Sequence, residues 1–207
     1  MVVMFDEYKE WISEAEHGEL RYEVVYAAKW KFGQVSDDNI KPHYPMWFQS
    51  FYVLNEFNYK QDCPSVVKKL GERFMELAPD NFIMVRCMAS SNTFGLDGDI
   101  HTDWPNLNES ITGILYTDKE WEQNWGGETI LYDTQTVASQ YEPRKLLVFD
   151  SSIPHIGKGP QRRCKEMRSI IAFQAIHADA AKKKWPNLTS QGKKQAAKLI
   201  TECKLKD

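Results

Sequence analysis

The chain has 207 residues, 42% of them hydrophobic and 13% aromatic, with a net charge of −3, which fits one domain with its own hydrophobic core and excludes a disordered or low-complexity protein. No apolar run approaches the roughly 18 residues of a membrane-spanning helix, and Asp6 brings acidic character too early for a secretory signal. Cys63, Cys87, Cys164 and Cys203 lie far apart with no Cys-x-x-Cys pair, which argues against a zinc-finger spacing or a disulfide framework and points to reduced thiols in a cytoplasmic protein.

Met4, Phe5, Tyr8, Trp11 and Ile12 are spaced three and four apart, which predicts an amphipathic helix over 4–16. Tyr22–Trp30 is rich in Val, Tyr and Ala and ends near Gly33, as a strand followed by a turn does. A looser stretch from Asp37 to Pro45 precedes an aromatic run over Trp47–Phe57. Pro64 suits a first helical turn, where its missing N–H costs nothing, and Val66, Val67, Leu70, Phe74 and Leu77 form one stripe before Pro79.

From residue 81 the pattern changes to short strands punctuated by Gly, Pro and Asp. Phe82–Met88, Ile100–Asp103, Ile111–Thr117, Glu128–Tyr132, Lys145–Phe149, His155–Gly157 and Arg168–Ile176 are the expected strands, and their regularity predicts an antiparallel barrel or sandwich. Between the first two, Ala89–Asp99 reads as a surface loop or a mobile lid. Thr189–Leu205 has a capping residue and good helix formers and predicts a tail helix, so the chain is expected to be one domain over 1–207.

From Ile156 onward 13 Lys and Arg face 4 Asp and Glu. Lysines without interleaved aromatics read as a solvated basic face, not as a nucleic-acid footprint.

His101-Thr102-Asp103 places an imidazole and a carboxylate two residues apart, which on a strand is the same face. His155 follows the apolar run Lys145–Phe149 and sits among Ser151, Ser152, Pro154 and Gly157. Two His and one carboxylate on one side of a metal leave the other positions open, the ligand set of non-haem Fe(II) oxygenases; zinc could use the same three with water. Arg168 heads the apolar run Ser169-Ile170-Ile171-Ala172-Phe173, and a buried arginine there needs a carboxylate partner.

His101-Thr102-Asp103, Ile114-Leu115-Tyr116, Gly126-Gly127-Glu128-Thr129, Leu146-Leu147-Val148-Phe149-Asp150, His155 and Arg168-Ser169-Ile170-Ile171 occur in this order within Phe82–Gln174. This run resembles the prolyl 4-hydroxylase-like branch of the 2-oxoglutarate/Fe(II)-dependent oxygenases, of the small intracellular and microbial or viral type. The resemblance implies a mainly β fold with flanking helices: a double-stranded β-helix (jelly-roll) core over about 81–177, an N-terminal helical support over 1–80, and a C-terminal helix over about 189–205.

The resemblance also implies that His101, Asp103 and His155 bind Fe(II), that Arg168 pairs with the distal carboxylate of 2-oxoglutarate, and that Tyr116 hydrogen-bonds the same carboxylate. Met88 stands where the family commonly has a tyrosine. The implied reaction uses O2, with ascorbate as a possible support, to hydroxylate an unactivated C–H bond while 2-oxoglutarate is decarboxylated to succinate. The carboxylate of Asp103 points to hydroxylation, because related halogenases carry a small residue there. The favoured substrate is a prolyl residue in a protein or peptide; a free amino acid or other small metabolite is the alternative, and a catalytically silent β-helix binding module is the alternative of another class. Trp104, Trp121, Trp125 and Tyr132 are candidates for an aromatic rim or for the core.

Overall fold

The computed structural model describes residues 5–26, 30–34, 45–53 and 58–185. In chain order the strands are β1 (Phe5–Tyr8), β2 (Lys31–Gln34), β3 (Met46–Ser50), β4 (Tyr52–Val53), β5 (Asn58–Tyr59), β6 (Phe82–Asn92), β7 (Ser110–Tyr116), β8 (Thr129–Tyr132), β9 (Thr136–Ser139), β10 (Leu146–Asp150), β11 (His155–Gly157) and β12 (Arg168–His177). The α-helices are α1 (Glu14–Leu20), α2 (Ser65–Met75) and α3 (Ala178–Lys184).

A seven-stranded sheet runs β1-β10-β7-β12-β6-β3-β2, and a three-stranded sheet runs β11-β8-β9. All pairings within them are antiparallel. This is the jelly-roll expected from the sequence.

The long central strands are apolar on both faces because both faces are covered, and their two-residue period sorts the side chains. On β12, Ile171, Phe173 and Ala175 join the core under the helices, while Arg168, Ile170 and Ala172 line a cavity on the other face. On β6, Cys87 and Ala89 take the helix side, and Arg86, Met88, Ser90 and Asn92 take the cavity side. A second apolar cluster of Ile114, Tyr116, Leu131, Leu147, Phe149 and Ile170 fills the space between the sheets.

Helix α2 closes the outer face. Phe74 stacks on Phe173 with ring centroids 5.3 Å apart, and burying a ring this completely contributes about 1.5–3 kcal/mol. Gly113 makes the close approach possible, since a Cβ there would stand 2.5 Å from the Phe74 ring. At one sheet edge β1 pairs with β10, and Glu7 on β1 reaches the fully buried Lys145 at 3.0 Å.

Several local expectations are corrected. Residues 5–8 form an edge strand, and the first helix begins only after Ser13, whose side chain and that of Glu16 make a reciprocal capping box. Arg21–Tyr26 continues that helix as a π-helical turn and is not a strand; Leu20 and Val24, four apart, are its buried side. Helix α2 starts after Pro64 as expected but ends at Met75, and Leu77 is exposed. His101 contributes an isolated bridge to His155, so Ile100–Asp103 is not a strand. Ala89–Asn92 belong to β6, so only Thr93–Asp99 remain as a connection. Strand β9 and helix α3 were not anticipated. The predicted tail helix and much of the stretches after Gln34 and Val53 lie outside the described residues.

Candidate active site

His101, Asp103 and His155 converge, with ligand atoms all within 4.8 Å of one another. Three local features place them. The backbones of His101 and His155 exchange two hydrogen bonds, 3.0 and 2.8 Å long. β11, which opens with His155, is held on its other side by β8. The N–H groups of Asp103 and Trp104 both donate to the Ser151 carbonyl, at 3.0 and 3.1 Å, turning the chain so that Asp103 faces the imidazoles.

Both rings are oriented through their Nδ1 atoms. His101 Nδ1 lies 2.8 Å from the Asp99 carbonyl and His155 Nδ1 lies 3.0 Å from that of Ile153. A carbonyl can only accept, so Nδ1 carries the proton in each ring and Nε2 keeps its lone pair. These Nε2 atoms lie 3.8 and 3.7 Å from the two Asp103 oxygens. Asp103 also accepts from Thr112 Oγ1 at 2.7 Å and from the Arg86 guanidinium.

Electrostatics keep the ligands in metal-binding form. Burial alone would raise the Asp103 carboxyl, but Arg86, the two imidazoles and Thr112 outweigh it and hold it well below the usual carboxylate range. Burial pushes the His155 imidazole down to about 4 against the pull of Asp103, so it is neutral near pH 7. The donor set, two imidazoles and one carboxylate on one side, fits a divalent transition metal with positions left open.

The cavity beside the triad has a volume of about 110 Å³ and is lined by the triad and by Arg86, Met88, Thr112, Ile114, Arg168 and Ile170 among others. Arg168 is 2% exposed. Its Nε donates to the Gly127 carbonyl at 2.6 Å and its Nη2 to Thr129 Oγ1 at 2.9 Å. The rings of Tyr116 and Tyr141 lie 5.8 and 5.9 Å from its guanidinium carbon. Among the described residues no carboxylate lies within ion-pair distance of it, and Nη1 has no hydrogen-bond partner. A Cβ on Gly157 would stand 3.3 Å from that Nη1, so the glycine keeps open the space in front of it. An unpaired buried cation is costly, and this one has room for an anion.

Tyr116 is fully buried but does not line the cavity. Its hydroxyl donates to Thr129 Oγ1 at 2.9 Å, the same oxygen that accepts from Arg168. Behind Arg168 a second network ties Tyr141 to Asp118, whose Oδ2 lies 2.5 Å from the phenol oxygen. Burial raises the Asp118 carboxyl to about 6.

None of Trp104, Trp121, Trp125 and Tyr132 lines the cavity. Trp121 stacks on Tyr141 with centroids 4.1 Å apart, and Trp104 is buried beside Asp103. The connection Thr93–Asp99 is tied down: Gly98 N–H donates to the Gly157 carbonyl at 2.9 Å, and Asp97 accepts from Gly159 N–H at 2.8 Å and pairs with Lys158. Sequence reasoning missed Arg86, Ser90, Asn92, Thr112 and Thr129. Their signal is the two-residue period along β6, β7 and β8 once the strands are set in register.

No model of a protein family matches the sequence, and comparison with curated protein sequences finds no match. Solved structures do match. A prolyl hydroxylase from Trichoplax adhaerens, in complex with a peptide fragment of the hypoxia-inducible factor oxygen degradation domain, superposes with a TM-score of 0.67 at 19% identity over 87% of this chain and 86% of that one. The viral collagen prolyl hydroxylase of Paramecium bursaria Chlorella virus-1, solved with 2-oxoglutarate, gives 0.60 at 12% identity over 84% and 97%. HygX of Streptomyces hygroscopicus, solved with nickel and 2-oxoglutarate, gives 0.57 at 9% identity over 84% and 82%. The chain therefore has the jelly-roll fold that these prolyl hydroxylases and other 2-oxoglutarate/Fe(II) oxygenases share.

Proposed function

We propose that the protein is a Fe(II)- and 2-oxoglutarate-dependent dioxygenase that hydroxylates an unactivated C–H bond, with a prolyl residue in a protein or peptide as its favoured substrate. The observation that carries this reading is a buried arginine without a carboxylate partner opening into the same cavity as a His/Asp/His cluster. When bound, the iron and 2-oxoglutarate supply the oxidising chemistry, with release of succinate and CO2.

In this reading His101, Asp103 and His155 hold the metal through Nε2, one carboxylate oxygen and Nε2. Arg168 pairs with the distal carboxylate of 2-oxoglutarate, and Gly157 leaves the space that carboxylate fills. Tyr116 acts one step back, by fixing the Thr129 oxygen that fixes Arg168. Ile114, Ile170 and Ala172 supply an apolar wall that excludes water from the reacting face. The buried free thiols of Cys63 and Cys87 support a reducing, cytoplasmic setting.

The prolyl preference is supported by the prolyl hydroxylases among the structural neighbours. A small-metabolite substrate is the second reading, supported by neighbours such as HygX, solved with hygromycin B bound. Anaerobic addition of Fe(II) and 2-oxoglutarate should produce a visible metal-to-ligand charge-transfer band. The band should be absent in His155→Ala and should require far more 2-oxoglutarate in Arg168→Ala. No band in folded wild type would overturn the oxygenase reading in favour of a silent binding module. Stimulation of 2-oxoglutarate turnover by proline-containing peptides but not by free amino acids would support the prolyl preference, and the reverse would transfer it to small metabolites.

A further inference from the structure

We infer that the substrate of this site carries a carboxylate close to the C–H bond that reacts, and that Arg86 and Lys184 receive it. The inference rests on the oxygenase reading and adds the chemical class of the substrate.

The cavity holds two arginines. β6 and β12 pair with Asn92 opposite Arg168 and Arg86 opposite Gln174, so the two arginines sit six positions apart in register, about 20 Å along the strands. A 2-oxoglutarate seated at Arg168 leaves Arg86 with Asp103 as its ion-pair partner among the described residues. The register slips by one residue next to Arg86, between Gln174 and Ala175, and such bulges re-aim side chains beside sites.

Arg86 is only partly committed. One nitrogen pairs with Asp103 Oδ1, while Nε is buried with no hydrogen-bond partner. Its side chain is 37% exposed, against 5% for Asp103, so the guanidinium borders solvent while its partner is enclosed.

A second cation stands nearby. Lys184, at the end of α3, holds its ammonium 4.2 Å from the Trp104 ring centroid and 5.6 Å from that of Trp185. Lys184 is exposed at the rim; partial desolvation lowers its pKa, and the charge of Arg86 lowers it further. A helix C-terminus accounts for a run of lysines, but not for one packed on the tryptophan beside a metal ligand. Among the described residues Lys184 has no carboxylate within ion-pair distance. Glu109 accepts from the same Trp104, through Nε1 at 3.0 Å, and from Asn106 at 2.8 Å.

Met46 and Met88 line the same cavity, and their flexible side chains suit an aliphatic body attached to the substrate carboxylate.

The test uses trifluoroacetate as the probe and trifluoroacetamide as its neutral control, with 19F line widths read on the full chain loaded with Mn(II) and saturating 2-oxoglutarate. Trifluoroacetate should be broadened several-fold more than the amide. Its apparent affinity should weaken roughly tenfold in Arg86→Gln and measurably in Lys184→Gln. Manganese occupancy of every variant is read by EPR, which separates loss of the metal from loss of the anion. Equal broadening of the two probes, or an effect that survives both substitutions, would overturn the inference. If manganese does not bind the wild type, the oxygenase reading has failed, and a metal-free 19F shift titration still decides the anion site. Displacement of the probe by an acetylated, amidated Glu-Pro-Glu peptide would assign the anion to an acidic peptide; displacement by free L-proline would assign it to an α-carboxylate.

Discussion

His101 and His155 are bound to each other through their backbones, N–H to carbonyl in both directions, so two candidate metal ligands share one rigid bridge although they are far apart in the chain. The bridge does not depend on the imidazoles. His101→Ala and His155→Ala should therefore fold, with melting temperatures close to that of metal-free wild type, yet lose more than about 100-fold in Mn(II) or Fe(II) affinity. Calorimetric titration checks this; an affinity that survives both substitutions would remove the triad as the metal site.

Gly157→Ala tests the space in front of Arg168. The new methyl would stand 3.3–3.5 Å from three guanidinium atoms, in the space proposed for the distal carboxylate of 2-oxoglutarate. Metal binding should persist, while the 2-oxoglutarate concentration needed for half-saturation rises about tenfold, in line with roughly 1–3 kcal/mol for overpacking.

Thr129 joins Tyr116 to Arg168 through a single oxygen. Thr129→Val removes that acceptor, leaves the buried Nη2 of Arg168 unsatisfied while Tyr116 keeps Ser139 Oγ at 3.3 Å, and should cost about 1–3 kcal/mol of stability, together with a weaker grip on 2-oxoglutarate. Tyr116→Phe removes only one of the donors and should be milder on both measures. A Tyr116→Phe variant with the larger 2-oxoglutarate defect would mean that the phenol contacts the cosubstrate itself.

In the metal-free protein His155 contributes a loss of stability on mild acidification. Burial depresses its pKa from 6.5 to about 4 in the folded state. Its contribution is therefore complete above about 6.5 and is lost as pH falls through about 4, on the order of 3 kcal/mol in total. Asp118 acts in the opposite sense: its carboxyl is raised from 3.8 to about 6, so its contribution is present below 3.8 and is lost as pH rises through about 6. Between pH 7 and 4.5 in chelator the melting temperature of His155→Gln, which retains Asp118, should rise relative to that of wild type as the pH falls. Parallel curves would show that His155 titrates normally.

How much of this was legible in the sequence depended on whether the signal was local. His101, Asp103 and His155 could be found because a two-residue spacing and a turn-flanked histidine are visible without a fold. Arg168 could be found because a cation heading a β-branched run is anomalous by itself. Arg86 and Thr129 could not, because they become significant only when β6 and β8 are set in register beside β12 and β11. The amino-terminal helix was misplaced for a related reason. The window 4–16 joins an edge strand to a helix start, and the spacing of Phe5, Tyr8 and Ile12 imitates one helical stripe, although Ser13 and Glu16 mark the true beginning. Ala89–Asn92 read as a loop because Ser90, Ser91 and Asn92 are polar; they are buried where β6 faces the cavity and β12.

The pairing of β1 with β10 bears on how the protein can be handled. Without residues 1–8 the flank of β10 would present a row of unpaired peptide groups, a template for strands of other molecules, and the enclosed ammonium of Lys145 would lose Glu7 as a counter-ion, keeping only Glu142 at 3.6 Å. Four residues at the margin of the fold thus put a short edge carrying Asp6 and Glu7 where the apolar flank of β10 would otherwise lie, and self-association is expected to increase once trimming passes Phe5.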